Sequence, residues 1–110
     1  MKTLIIDRKK WRRGHPGSTY LLSPDGMCCL GFDCINEGFS KDAIRGMAVP
    51  VALGVKINGI TKMFRGKLKR TKICDSLMAT NDIIGISEQK RESKITSLFK
   101  KIGREVKFIN

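Results

Sequence analysis

Apolar positions cluster in short runs through the first half of the chain, and a single helical stripe organises its end. Lys2–Ile6 is β-branched and leucine-rich, which predicts a strand. Asp7 is placed to cap a basic turn over Arg8–Arg13 that stops at Gly14. Ser18–Leu22 predicts a second strand leading into the turn Ser23-Pro24-Asp25-Gly26. A helix is expected over Cys28–Glu37, with Gly38 just past its end. Gly31 weakens that helix unless another backbone approaches it there. Ser40 is placed to cap a further short turn, Lys41–Arg45.

The middle of the chain carries weaker periodicity. Pro50, Gly54 and Gly59 interrupt Val49–Phe64, and Asn58-Gly59 is a hairpin-type turn pair. Gly66–Lys72 holds one apolar residue, Leu68, among basic ones, so a solvated loop or ribbon is expected. Asp75–Ala79 predicts a short helical turn ahead of Thr80-Asn81-Asp82, where the two polar side chains suit local capping. Ser87 is a natural N-cap with Glu88 in the first turn. Ile95, Leu98, Phe99 and Ile102 then fall at i, i+3, i+4 and i+7, one apolar stripe on a charged helix. Gly103 ends it, and Glu105–Ile109 alternates as a closing strand. The expected fold class is α+β: one domain over residues 1–110, a small sheet holding the N- and C-terminal strands, two main packing helices, and a basic loop or ribbon around 56–73.

Charge sharpens this picture. The net charge of +12 is unevenly spread. Residues 1–20 hold six basic side chains against Asp7 alone, residues 56–73 hold seven and no acid, and 21–55 are slightly acidic. Two basic segments flanking a near-neutral middle form an electrostatic footprint for an anionic partner, whether nucleic acid, nucleotide or acidic protein surface. The candidate binding residues are Lys9, Lys10, Trp11, Arg12 and Arg13, together with Lys62, Phe64, Arg65, Lys67, Lys69, Arg70 and Lys72. Trp11 and Phe64 would be aromatic anchors, and the arginines would outrank the lysines individually. The alternative for Trp11 is a place in the core, anchoring the N-terminal turn. No apolar run approaches the roughly 18 residues of a membrane span, and Leu4-Ile5-Ile6 stops at Asp7. The expectation is a cytoplasmic chain with no membrane contact, whose cysteines stay reduced.

Three of the four cysteines, Cys28, Cys29 and Cys34, lie just behind the Pro-Asp-Gly turn at the expected helix start. Thiols there are either lowered in pKa by the helix N-terminus or buried as small hydrophobes. A nucleophile would have His15 as its only histidine base. A zinc site could draw on Cys28, Cys29, Cys34 and Cys74 or His15, but neither a Cys-Cys pair nor C-x₄-C matches the usual knuckle. The expectation is structural cysteines, no metal, no cofactor and no catalytic residue. Paired carboxylates, a P-loop and a dinucleotide-binding glycine motif are absent from the sequence.

Asp25-Gly26-Met27-Cys28-Cys29-Leu30-Gly31, followed much later by Leu77-Met78-Ala79-Thr80-Asn81-Asp82 and Gly85-Ile86-Ser87 before the last helix, resembles a family of small bacteriophage proteins. They are similar in an early DG-x-CCLG segment and a later Asn-Asp segment. The resemblance covers about a third of the chain and carries no established catalytic residues. It implies a phage or prophage origin and a place in the host cytoplasm. With the charge, it leads to the expectation of a non-enzymatic accessory protein, an anti-defence or anti-CRISPR-like inhibitor. Its partner would be a host or defence protein complex, nucleic acid or another anionic ligand. The alternative is a protein that binds DNA or RNA directly.

Overall fold

A computed structural model describes residues 2–14, 20–46 and 68–110. The expected α+β class holds. The first strand, β1 (Lys2–Asp7), pairs in parallel with β4 (Arg104–Ile109), Leu4 opposite Val106 and Ile6 opposite Phe108. A parallel pair needs a crossover, and here the rest of the chain supplies it. Leu4 and Ile6 face inward and are buried, while Thr3 and Ile5 face out, the alternation expected of a sheet covered on one side.

Of the expected second strand, Ser18 and Thr19 lie outside the described residues; Leu22–Ser23 forms β2, which pairs antiparallel with β3 (Gly26–Met27) around Pro24-Asp25. Helix α1 (Cys29–Asn36) follows, with Cys28 at its N-cap, and α2 (Lys41–Ile44) is capped by the Ser40 hydroxyl, which accepts from the Ala43 N–H. Gly31 sits where a Cβ would lie 2.1 Å from the Leu21 carbonyl oxygen. A neighbouring backbone therefore does approach, and the residue that weakens the helix in isolation permits its closest contact in the fold.

The main departure from expectation is α3 (Leu68–Asp82), a 15-residue helix where a basic loop or ribbon and a single helical turn were predicted. Over 68–73 the loop reading is corrected; 56–67, with the Asn58-Gly59 turn, lies outside the described residues. The helix buries Ile73, Cys74, Leu77, Thr80 and Asn81. These recur at i, i+1, i+4, i+7 and i+8, a helical stripe, but three of the five are not aliphatic, so hydropathy does not reveal it. Among the described residues α3 joins the two expected packing helices as a third long element. The last, α4 (Glu88–Lys100), starts at Ser87 as predicted, its hydroxyl accepting from the Lys90 N–H, and buries Ile95 and Phe99.

One core joins these elements: Leu4 and Ile6 from β1, Leu21, Leu30, Phe32, Ile44, Leu77, Ile95 and Phe99 are among its larger apolar members. No helix of the described residues is long and apolar enough to cross a membrane. Gly31→Ala tests the closest contact in this core. A methyl group driven against backbone cannot be absorbed by a rotamer change, so the substitution is expected to destabilise the fold by about 2 kcal/mol or more in urea titration. Wild-type stability in the variant would show that α1 does not rest on Leu21.

Candidate binding surface

The basic turn after β1 is built by its own backbone. Asp7 accepts from the Lys9 N–H through Oδ1 (3.0 Å) and from the Lys10 N–H through its carbonyl (3.0 Å). This bend leaves Lys9 and Lys10 exposed and turns Trp11 inward. Trp11 is 5% exposed, its ring lies 5.4 Å from that of Phe108, and its indole N–H donates to Asn81 Oδ1 at 2.7 Å. Of the two alternatives for Trp11, the structure has the core anchor.

Asn81 ties distant segments together. Its Oδ1 accepts from Trp11 and from the Cys29 backbone N–H (3.0 Å), while Nδ2 donates to the Arg12 carbonyl (3.0 Å) and to Asp82 Oδ1 (3.0 Å). The amide group thus uses its full capacity, two bonds at each end. The local capping predicted for Asn81 is replaced by contacts to residues 52 and 70 positions away. Asn81 and Asp33 are both fully buried, so neither offers a face to a partner.

The arginines are occupied in the same way. Arg8 makes a two-pronged pair with Glu92 (2.8 and 2.7 Å), Arg12 is ion-paired to Asp25 (3.0 Å), and Arg45 pairs with Asp42 (2.7 Å). Arg13 pairs with Glu88 (2.6 Å) and lies 4.3 Å above the Trp11 ring. Arg104 bridges Asp33 and Glu37. Arg91, 2% exposed, donates to the carbonyls of Thr80, Asn81 and Ile83 at 2.7–2.8 Å and to Glu88. Those carbonyls end α3, where a cation satisfies acceptors the helix leaves open. Of the arginines expected to outrank the lysines, Arg12 and Arg13 are engaged within the fold.

The lysines are left as exposed charge. Lys9, Lys10, Lys41 and Lys72 are exposed, and no ion pair engages them among the described residues. Lys9, Lys10 and Lys41 line a cleft of about 320 Å³ whose apolar lining includes Leu22, Pro24 and Met27. The cleft is held in shape by two strapped turns: Met27 N–H donates to the Lys10 carbonyl (2.9 Å) and Arg12 N–H to the Met27 carbonyl (2.8 Å). Gly26 is required here, with φ of +145° and room for no Cβ, since one would lie 2.7 Å from the Lys10 oxygen. Of the second basic segment, Lys62, Phe64, Arg65 and Lys67 lie outside the described residues. Lys69 and Arg70 fall in the first turn of α3, with side chains outside that description.

All four thiols are buried. Cys28 occupies the helix N-cap position that would favour a thiolate, yet burial pushes its thiol up to about 11. Burial likewise pushes Cys74 up to about 12, with the Asp33 carboxylate second, and raises Cys29 and Cys34. Desolvation outweighs the helix terminus, and the thiols behave as small hydrophobes. His15 lies outside the described residues, and among those described no group of three or more His, Cys, Asp and Glu side chains is placed to hold a metal ion.

No family model, curated protein or solved structure matches this chain.

Asn81→Ala leaves the buried Trp11 indole N–H and the Cys29 amide without acceptors, so a loss of about 3 kcal/mol is expected by chemical denaturation. The thiols give a pH signature. An unfolded thiol titrates near its ordinary value of about 9, whereas native Cys28 holds its proton to about 11. The unfolded chain therefore loses protons first as pH rises. This stabilisation is complete below about pH 9 and is lost as pH climbs through about 11. The urea midpoint is expected to fall across that window, less steeply in Cys28→Ala, and thiol reagents should modify the protein only once it is unfolded.

Proposed function

We propose that this chain is a small non-enzymatic binding protein, of the phage-accessory type, that engages an anionic site on a host or anti-phage-defence component and inhibits or sequesters it. One observation carries this reading: the described arginines are engaged in pairs within the fold, while lysines are left as surplus surface charge around a shaped cleft. Guanidinium groups suit fixed, multiply bonded partners, and Arg8, Arg91 and Arg104 have such partners within the fold. Lysine ammonium groups are point charges on flexible stems, able to meet carboxylates or phosphates without strict geometry. Inhibition needs no chemistry from such a protein, only coverage of that anionic site against the target's own cationic contacts, or sequestration of an anionic ligand. The DG-x-CCLG and Asn-Asp segments support placing the chain with small phage proteins, and in this structure those segments build the core around Asn81.

A second reading, direct binding of DNA or RNA, is favoured by the same lysines, since ammonium groups make phosphate contacts without sequence preference. The two readings part in one experiment: capture of partners from infected cells with and without nuclease, using the wild type and a Lys9→Glu, Lys10→Glu, Lys41→Glu variant. The exposed substitutions are expected to leave stability within about 0.5 kcal/mol per site and to abolish capture of a nuclease-resistant protein partner. Capture lost on nuclease treatment, with purified DNA or RNA bound and a salt slope of roughly −2 to −3, supports the second reading. Undiminished capture by the reversed protein rejects the cleft as the binding surface.

A further inference from the structure

We infer that the chain forms a twofold dimer by antiparallel pairing of β4 with β4 of a second copy. The β1–β4 sheet is two-stranded among the described residues and parallel, a form normally found in larger sheets covered on both faces. Its outer face instead presents Ile5, 52% exposed, and Ile109, 41% exposed.

The direction of the β4 backbone groups follows from one bond. The Ile109 carbonyl accepts from the Arg8 N–H at 2.9 Å, so Ile109 directs its peptide groups toward β1. Peptide groups alternate along a strand, so Glu105, Lys107 and Ile109 face β1, and Arg104, Val106 and Phe108 direct N–H and C=O to the opposite edge. Beside that edge lies an open groove of about 440 Å³, lined by Thr96 and Lys100 from α4 and by Arg104, Glu105 and Val106.

A second copy pairs there in one self-complementary register. Centred on Val106, an antiparallel pair sets Val106 against its own counterpart and Arg104 against Phe108, each residue presenting both peptide groups to its partner. On the outer face the same register sets Glu105 directly opposite Lys107, twice by symmetry, in the pair class whose side chains come closest. A parallel in-register pairing would oppose Glu105 to Glu105 and Lys107 to Lys107. The edge of β1 has no equivalent: centring on Ile5 opposes Lys2 to Arg8. The second copy completes a four-stranded sheet with β4 strands at its centre, and the charge pattern selects the register.

Sedimentation equilibrium of the wild type, Glu105→Lys, Lys107→Glu and the double exchange tests this directly. The wild type is expected to dimerise reversibly, each single reversal to weaken the dimer roughly tenfold, and the double exchange to recover it. Circular dichroism establishes that each variant is folded. Amide exchange of the wild type supplies a readout independent of any variant: protection of Arg104, Val106 and Phe108 should rise with protein concentration, while Lys107 and Ile109 are protected throughout. A wild type that stays monomeric at millimolar concentration overturns the inference. So does a dimer indifferent to both reversals, or concentration-independent exchange at Val106.

Discussion

A single buried carboxamide holds this fold in register. Asn81 receives the Trp11 indole and the first amide of α1 and donates to the Arg12 carbonyl, so the basic turn, the cysteine helix and the end of α3 share one point of attachment. The Gly14 N–H adds a bond to the Asn81 carbonyl, and Arg91 seals the same helix end from α4. Hydrophobic burial drives these segments together but does not specify how they sit. A buried amide with four directional bonds does, because any other arrangement strands polar groups away from water. The position of Lys9 and Lys10 beside the Ser23–Gly26 turn depends on that anchor, since Trp11 follows them immediately in the chain.

The distribution of charge has the same economy. In a chain this basic, carboxylates are scarce, and the described arginines pair with most of them. Buried or half-buried guanidinium groups such as those of Arg91 and Arg104 gain from planar, multiple donation that an ammonium could not supply. Lysine takes the exterior by default, where its charge stays hydrated.

Much of the architecture was legible where local chemistry and tertiary structure agree. The Ser87 cap, the Ile95 and Phe99 stripe, the cysteine helix and the sharing of a sheet by the two outer strands follow from short-range patterns that the fold merely completes. Helix α3 was not legible as a whole, because its buried face includes Cys74, Thr80 and Asn81, residues whose reason to be inside is a hydrogen bond or small size rather than hydropathy. Arg91 escaped notice for a related cause. It extends the apolar stripe one turn upstream of Ile95, a position where a charged residue is read as solvated unless the acceptors ending a neighbouring helix are known. At the candidate surface the abundance of charge was plain from composition, but which cations were spoken for was not. That depends on partners such as Glu88 and Glu92, about 75 and 84 residues from Arg13 and Arg8, which they bind.

The parallel pairing of β1 with β4 has a kinetic consequence. Lys2 finds its partner in Arg104, about a hundred residues on, so the strand made early waits for one made late. At ordinary rates of synthesis that delay is roughly 5 to 20 seconds, during which Leu4, Ile6 and Trp11 have no completed core to enter. Closing so long a loop before its contacts form also slows the search for the native state. The six basic residues of this early segment then carry a second physical consequence: like charges on nascent copies repel one another while the sheet is still missing its second strand.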